Sequence, residues 1–169
     1  MITAEILRRS GLLKFLSDGQ LRAVVRLGQT KNFVPGEEIY RHGQQAKALY
    51  VLLRGSVSLT IEEPEEFNVM SETLEEAGSV FGLAALTRSC IYSATAKCIK
   101  QATVLAVESA GLQEIVRQEP EKGLEVMAEL AQFYSYRLDL ARMAIRTLYR
   151  IPKSQTRKAD VFDIHGESQ

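Results

Sequence analysis

The spacing of apolar residues near the amino terminus is helical. From about residue 18 to residue 28 they recur on one face, behind Ser17 and Gln20, which have the spacing of a capping box. Gly28 is expected to end this helix. Residues 6–16 are rich in leucine and predict a shorter apolar segment that packs on the same core. We therefore assign residues 1–30 to N-terminal helices.

Between residues 31 and 108 the pattern changes to short runs that alternate apolar and polar residues and end at turn residues. The runs are "NFVPGEEIYRHG", "ALYVLLRGSVSLTIEE", "FNVMSETL", "YSATAKCI" and "ATVLAVE". Many short strands with regular turns are typical of an antiparallel sandwich or roll. The predicted fold is mainly β with helices, an antiparallel β-roll (jelly-roll). One short helical piece, "VFGLAALTRS", interrupts the strands.

The last part of the pattern, residues 109–150, is helical again. Ser109 can cap a short helix that runs through Gln118, and Pro120 separates it from the next element. No proline or glycine occurs between Leu124 and Ile151. This predicts one long helix of about 30 residues, or roughly 45 Å.

Apolar residues of the long helix are spaced alternately by three and four residues, as in a coiled-coil seam. The seam residues are Leu124, Met127, Ala131, Tyr134, Leu138, Ala141, Ile145 and Leu148. They predict a parallel homodimer, although a single wide core face on a monomer would also use them. A second stripe is predicted to pack on the β domain. It consists of Val126, Leu130, Phe133, Leu140 and Ala144.

Composition limits the class of protein. A chain of 169 residues, 46% of them hydrophobic, is long enough for one buried core and too short for two full domains. No apolar stretch approaches the length of a membrane span, and the start does not read as a signal peptide, so we expect a cytoplasmic protein. Cys90 and Cys98 form neither a disulfide framework nor a metal-ligand set, so no metal is expected.

Charge is unevenly distributed although the net charge is zero. Residues 137–158 carry seven basic side chains and one acidic, whereas residues 62–76 hold seven glutamates and no basic residue. The basic end either binds nucleic acid without sequence preference or is simply a solvated face. Residues 151–169 are polar and aperiodic, which predicts a flexible tail. This tail has no second amphipathic helix, so sequence-specific DNA binding is not expected.

Enzymatic activity is not predicted. The two histidines are His42, in a predicted turn, and His165, in the tail, and neither has a nucleophile or carboxylate arranged around it in the sequence. The only indication that the protein binds haem would be the single histidine His42 as its ligand. We interpret His42 as a turn residue instead.

Residues 33–60 resemble the first half of a cyclic-nucleotide-binding domain of the catabolite-activator and kinase-regulatory-subunit type. The matching residues include Pro35-Gly36-Glu37, Gly43, Leu49-Tyr50-Val51-Leu52 and Gly55. The resemblance extends over roughly residues 10–150. It implies the β-roll, the inserted helix and the long C-terminal helix that the periodicity also predicts.

The resemblance implies a phosphate site at the inserted helix, in which backbone amides at Gly82, Ala84 and Ala85 face the anion. The family then uses a glutamate for the ribose and an arginine for the phosphate. Here those positions hold Leu83 and Tyr92, while the following Ser93 is kept. The only candidate cofactor is a cyclic nucleotide. Because both charged side chains are missing, we do not expect it to bind in the usual mode of the family.

Several alternatives follow from this altered site. Arg88, in the same loop, could supply the missing cation, or the pocket could accept a different ligand on Leu83 and Tyr92. Its own side chains could equally fill it. The sequence predicts a stand-alone regulatory or sensor domain that acts through dimerisation and contact with an unidentified partner protein.

Overall fold

A computed structural model describes residues 4–61 and 71–149, with only the backbone described for 147–149. Several predictions lie outside this range. They concern the tail 151–169 and its lack of a second helix, His165, the acidic residues 62–66, the basic residues beyond Arg146 and the side chain of Leu148.

The predicted antiparallel β-roll fold, with flanking helices, is confirmed. Six strands form one antiparallel sheet in the order β1-β6-β3-β4, in which β2 also pairs with β6 and β5 with β3. The strands are β1 (Gln29–Phe33), β2 (Glu38–Tyr40), β3 (Ala48–Thr60), β4 (Ser71–Leu74), β5 (Val80–Phe81) and β6 (Thr95–Glu108).

The long strands β3 and β6 form the centre of the sheet. The register between them shifts three times between Leu52 and Val57, and such irregularities bend a strand and increase its twist. The two runs predicted as separate strands near residues 92–99 and 102–108 form the single strand β6. The segment "VFGLAALTRS" begins with strand β5 instead of helix, and its helical part is the single 3-10 turn Leu83–Leu86.

The N-terminal helices are α1 (Ala4–Arg8), a 3-10 turn at Leu13–Phe15 and α2 (Asp18–Leu27). The capping box of α2 is confirmed, because the Gln20 amide donates to Ser17 Oγ and the Ser17 amide donates to Gln20 Oε1. Gly28 is the C-cap, as predicted. These elements cover the sheet with fully buried side chains, among them Leu7, Leu13, Leu21 and Val24.

Helix α3 (Ser109–Gln118) follows β6 directly. Its N-cap is Glu108, so the prediction that Ser109 caps it is wrong. The Ser109 hydroxyl instead donates a 2.6 Å hydrogen bond to the carbonyl of Ala85, in the 3-10 turn. Helix α4 (Pro120–Tyr149) starts at Pro120, where a helix needs no amide donor.

The chain forms two compact units, and the boundary between them follows Tyr134 in α4. Within the first unit, Val126 and Leu130 are buried in the core, as the second stripe predicts, and Met127 is half-buried against it. Leu124, on the predicted seam, is 71% exposed. Within the second unit, the described part is helical. Its exposed apolar residues are Tyr136, Leu138, Leu140, Met143 and Ile145.

Candidate ligand-binding site

The candidate site begins at Gly82, between β5 and the 3-10 turn. Gly82 has φ +73, in the left-handed region that favours glycine. A Cβ atom there would lie 3.0 Å from the carbonyl oxygen of Ala48 and 3.3 Å from Cε1 of Tyr92. Glycine therefore allows β3, the 3-10 turn and the Tyr92 ring to approach each other closely.

Gly82 and the 3-10 turn that follows it supply the three backbone amides that the sequence singled out, those of Gly82, Ala84 and Ala85. The Ala85 amide already donates to the carbonyl of Gly82 at 3.1 Å. A single turn also has few aligned peptide dipoles behind it, so it attracts an anion less than a long helix does. The cradle predicted from Gly82, Ala84 and Ala85 is therefore reduced, because one of its three amides is used within the turn.

Tyr92 is buried and its hydroxyl is hydrogen-bonded twice. The hydroxyl donates to the carbonyl of Ala48 at 2.7 Å and accepts from the Ala48 amide at 3.2 Å. Only 3% of the residue is exposed. Burial raises the pKa of Tyr92, which favours the protonated form of the phenol that donates this hydrogen bond. Its polar group is thus occupied by the protein's own backbone.

Aromatic rings fill the space around Tyr92. The ring of Tyr40 stacks on it with centroids 3.8 Å apart and an interplanar angle of 15°. Tyr50 stacks in turn on Tyr40 at 5.6 Å and on Phe81 at 5.3 Å. The spacing of residues along the chain did not indicate that Tyr40, Tyr50 and Phe81 belong to the site. These four side chains, Tyr40, Tyr50, Phe81 and Tyr92, form what we call the aromatic cluster.

An open cavity of about 460 Å³ borders the aromatic cluster. Its lining residues are Ile39, Tyr40, Gln44, Gln45, Lys47, Tyr50 and Tyr92. Lys47 is the one cation among these described residues, and sequence analysis did not single it out. A single lysine in the irregular segment directly before β3 gives no pattern by which it could have been found.

The other candidate residues lie elsewhere. Leu83 is half-buried in a separate cavity of about 130 Å³ that Leu12 and Phe133 also line. Arg88 is exposed and lines a third cavity, while Ser93 is exposed and lines none of these three. The structure therefore brings Gly82 and Tyr92 together but does not bring Leu83 or Arg88 into the same cavity.

Metal ligands and His42 were the other chemical features considered in the sequence. Within them, no group of three or more His, Cys, Asp or Glu side chains could hold a metal ion. His42 is exposed, and its backbone amide donates to Thr95 Oγ1 at 3.0 Å, as suits a turn residue. None of the described helices is long and apolar enough to cross a membrane.

Removing the Tyr92 hydroxyl is expected to destabilise the roll. Tyr92→Phe would leave the buried amide and carbonyl of Ala48 without this partner, which typically costs about 1–3 kcal/mol of unfolding free energy. Urea denaturation followed by circular dichroism measures the change. Tyr136→Phe, at a residue that is 60% exposed, is the matched control and should have no effect. Equal stability of Tyr92→Phe and wild type would contradict the assigned role.

Comparison with models of protein families identifies the family to which this fold and site belong. The model of the cyclic nucleotide-binding domain matches residues 30–119, more than half of the chain. The chain belongs to the cyclic nucleotide-binding domain family. The predicted resemblance is thereby confirmed, and the chain is a regulatory or sensor-type domain of this family.

Two proteins similar to this cyclic nucleotide-binding domain are each about a quarter identical to it. A Rhodopseudomonas palustris protein, named as a potassium channel protein, is 25% identical over 121 residues, 71% of this chain. The chain spans 28% of the length of that relative. A Geobacter metallireducens structure, named as a cyclic nucleotide-binding protein, is 26% identical with a TM-score of 0.66, covering 82% of this chain and 99% of that one.

The Thermus thermophilus catabolite activator protein shares the fold. Its TM-score is 0.64 at 23% identity, covering 83% of this chain and 63% of that one. At this level of identity the similarity concerns the architecture, and the site has to be judged from its own residues.

Proposed function

We propose that this domain regulates a partner protein without binding a cyclic nucleotide in the usual mode of its family. The observation that carries the proposal is the buried Tyr92 hydroxyl, which is bonded to both backbone groups of Ala48. Tyr92 stands where the family has its phosphate-binding arginine. We call this position, which a side chain bonded to the protein's own backbone fills, the closed site; the open cavity of about 460 Å³ lies beside it.

The side chains at the two family positions, 83 and 92, do not fit a cyclic nucleotide. Leu83 and Tyr92 provide neither the carboxylate for a ribose hydroxyl nor the guanidinium for a phosphate. Each charge-assisted hydrogen bond contributes roughly 1.5–3 kcal/mol, so a lost two-pronged clamp lowers affinity by about a hundredfold or more. Moving Tyr92 aside would also break its bonds to Ala48 and its stacking on Tyr40.

The proposal includes a homodimer formed through α4. The seam residues Leu124, Leu138 and Ile145 are each more than half exposed in the single chain. Apolar side chains that recur at three- and four-residue spacing along one helix are suited to pack against the same stripe of a second copy. The dimer would present two regulatory domains to the partner protein together.

Calorimetry with cyclic AMP and with cyclic GMP tests the closed site. We expect no binding tighter than about 100 µM, since a hundredfold loss from micromolar affinity gives this value. Micromolar binding of either nucleotide by the wild-type domain would contradict the proposal.

A pair of variants at position 92 tests why binding is absent. Tyr92→Arg restores the family's cation beside the cavity of the aromatic cluster, whereas Tyr92→Gln changes the same position without adding charge. We expect gain of binding in the charged variant alone. Binding by the neutral variant as well would show that removal of the tyrosine, and not the restored charge, reopens the site.

A further inference from the structure

A second surface feature lies within the first compact unit, between the loop after the 3-10 turn, α3 and α4. It is an open groove of about 410 Å³ lined by Arg88 and Arg117, and we call it the arginine groove. Among the described residues, neither arginine has an ion-pair or hydrogen-bond partner, and none of the residues lining the groove is acidic. Two like charges thus share one groove without a counter-charge from the described chain.

The floor of the arginine groove is apolar. Leu86 and Val116 are 9% exposed. Met127, although heptad spacing places it on the predicted seam, is half-buried against the core of its own chain and lines the groove. A methionine adapts its shape to different apolar side chains. The groove therefore combines two guanidinium groups with an adaptable apolar surface.

The groove is held in place by the Ala85 carbonyl. Gln113, which also lines it, donates from Nε2 to this carbonyl at 3.0 Å and to Ser109 Oγ at 3.2 Å. Because Ala85 belongs to the 3-10 turn of the candidate site, the shape of the groove depends on that turn. A molecule seated in the groove would contact the elements that connect the candidate site to α4.

We infer that the arginine groove binds an acidic, amphipathic segment of a partner protein. Guanidinium groups bind carboxylates in a two-pronged geometry, and the apolar floor would receive the neighbouring apolar side chains. Nucleic acid would satisfy the arginines but leave the apolar floor unused. This inference rests on the proposed function, to which it adds the docking surface and the chemistry of the partner.

Fluorescence anisotropy of a labelled peptide tests the inference. The probe is the synthetic peptide DEELLEELF, compared with KKKLLKKLF and with a single-stranded DNA 20-mer at the same ionic strength. We expect the full chain to bind the acidic peptide most tightly, and added salt to weaken that binding. Equal binding of the lysine peptide, or tighter binding of the DNA, would overturn the inference.

Charge reversal localises the binding. Arg88→Glu with Arg117→Glu is expected to weaken peptide binding by about tenfold or more, because each lost pair is replaced by a repulsion. Arg22→Glu with Arg26→Glu, at two exposed arginines of α2, is the matched control and should bind like wild type. Thermal unfolding verifies that both variants fold. Unchanged affinity in the Arg88/Arg117 variant would overturn the inference.

The two proposals fail separately. Micromolar nucleotide binding in calorimetry would overturn the proposal of a closed site. The proposal that the arginine groove binds an acidic segment would then still be decided by the peptide measurements. If the chain shows no preference for the acidic peptide, the proposal about the arginine groove is overturned and the proposal of a closed site is unaffected.

Discussion

Replacing Leu138 and Ile145 by glutamate is expected to convert the proposed α4 dimer into monomers. Both side chains are more than half exposed in the single chain and lie seven residues apart on the seam. Burying one such side chain contributes about 1.5–3 kcal/mol, and a dimer contains four of them. Even partial burial, combined with repulsion between the introduced carboxylates, raises the dissociation constant by more than about a thousandfold.

Sedimentation velocity over a range of concentrations measures this change. The matched control is Tyr136→Glu with Met143→Glu, since these residues are also seven apart and are 60% and 62% exposed. They lie on the face of α4 opposite the predicted seam, so the control is expected to remain dimeric. A monomeric wild type, or dissociation of the control variant alone, would contradict the proposed interface.

Gly55→Ala is expected to have the largest effect on folding. Gly55 has φ +101, and a Cβ atom there would lie 2.3 Å from the carbonyl oxygen of Gln101 and 2.6 Å from Cα of Ala102. Both atoms belong to the backbone of β6, so the central pair of strands would have to separate locally. Strain and clash together are expected to lower the unfolding free energy by about 3 kcal/mol or more.

Gly36→Ala separates the clash from the backbone strain. Gly36 has φ +88, but no atom lies within 4 Å of the Cβ position. This variant should lose only the cost of the left-handed conformation, about 1–2 kcal/mol. Urea denaturation of both variants gives the comparison. Equal losses would mean that the close approach of Gly55 to β6 contributes nothing.

The fold could be predicted because local signals agree with one another along the chain. The Ser17–Gln20 capping box and the apolar period of α2 gave its bounds to within one residue. Gly36, Gly43 and Gly78 lie between strands, as predicted for turn residues, whereas Gly55, also predicted at a turn, lies inside β3. The sequence did not reveal that the two runs around residue 100 form one strand, because the polar residues Lys100 and Gln101 between them look like a turn. Pairing with β3 and β1 overrides that local signal.

The candidate site was predicted only in part. Counting along the chain from Gly82 identified Leu83 and Tyr92 as candidate site residues. The spacing of residues in the sequence does not determine the direction in which a side chain points. Neighbouring residues of a 3-10 turn project about 120° apart, and Leu83 enters a cavity beside Phe133 instead of the one beside Tyr92. Tyr40 stacks on Tyr92, and Tyr50 stacks on Tyr40, from strands distant in sequence, so only the folded sheet creates these contacts.

The aromatic cluster gives the molecule a built-in optical reporter. The chain has no tryptophan, and three of its six tyrosines belong to the cluster. Rigidly packed aromatic rings dominate near-ultraviolet circular dichroism, whereas mobile surface rings contribute little. Any compound that displaces Tyr92 must therefore alter this spectrum, which allows compound collections to be screened on the unlabelled protein.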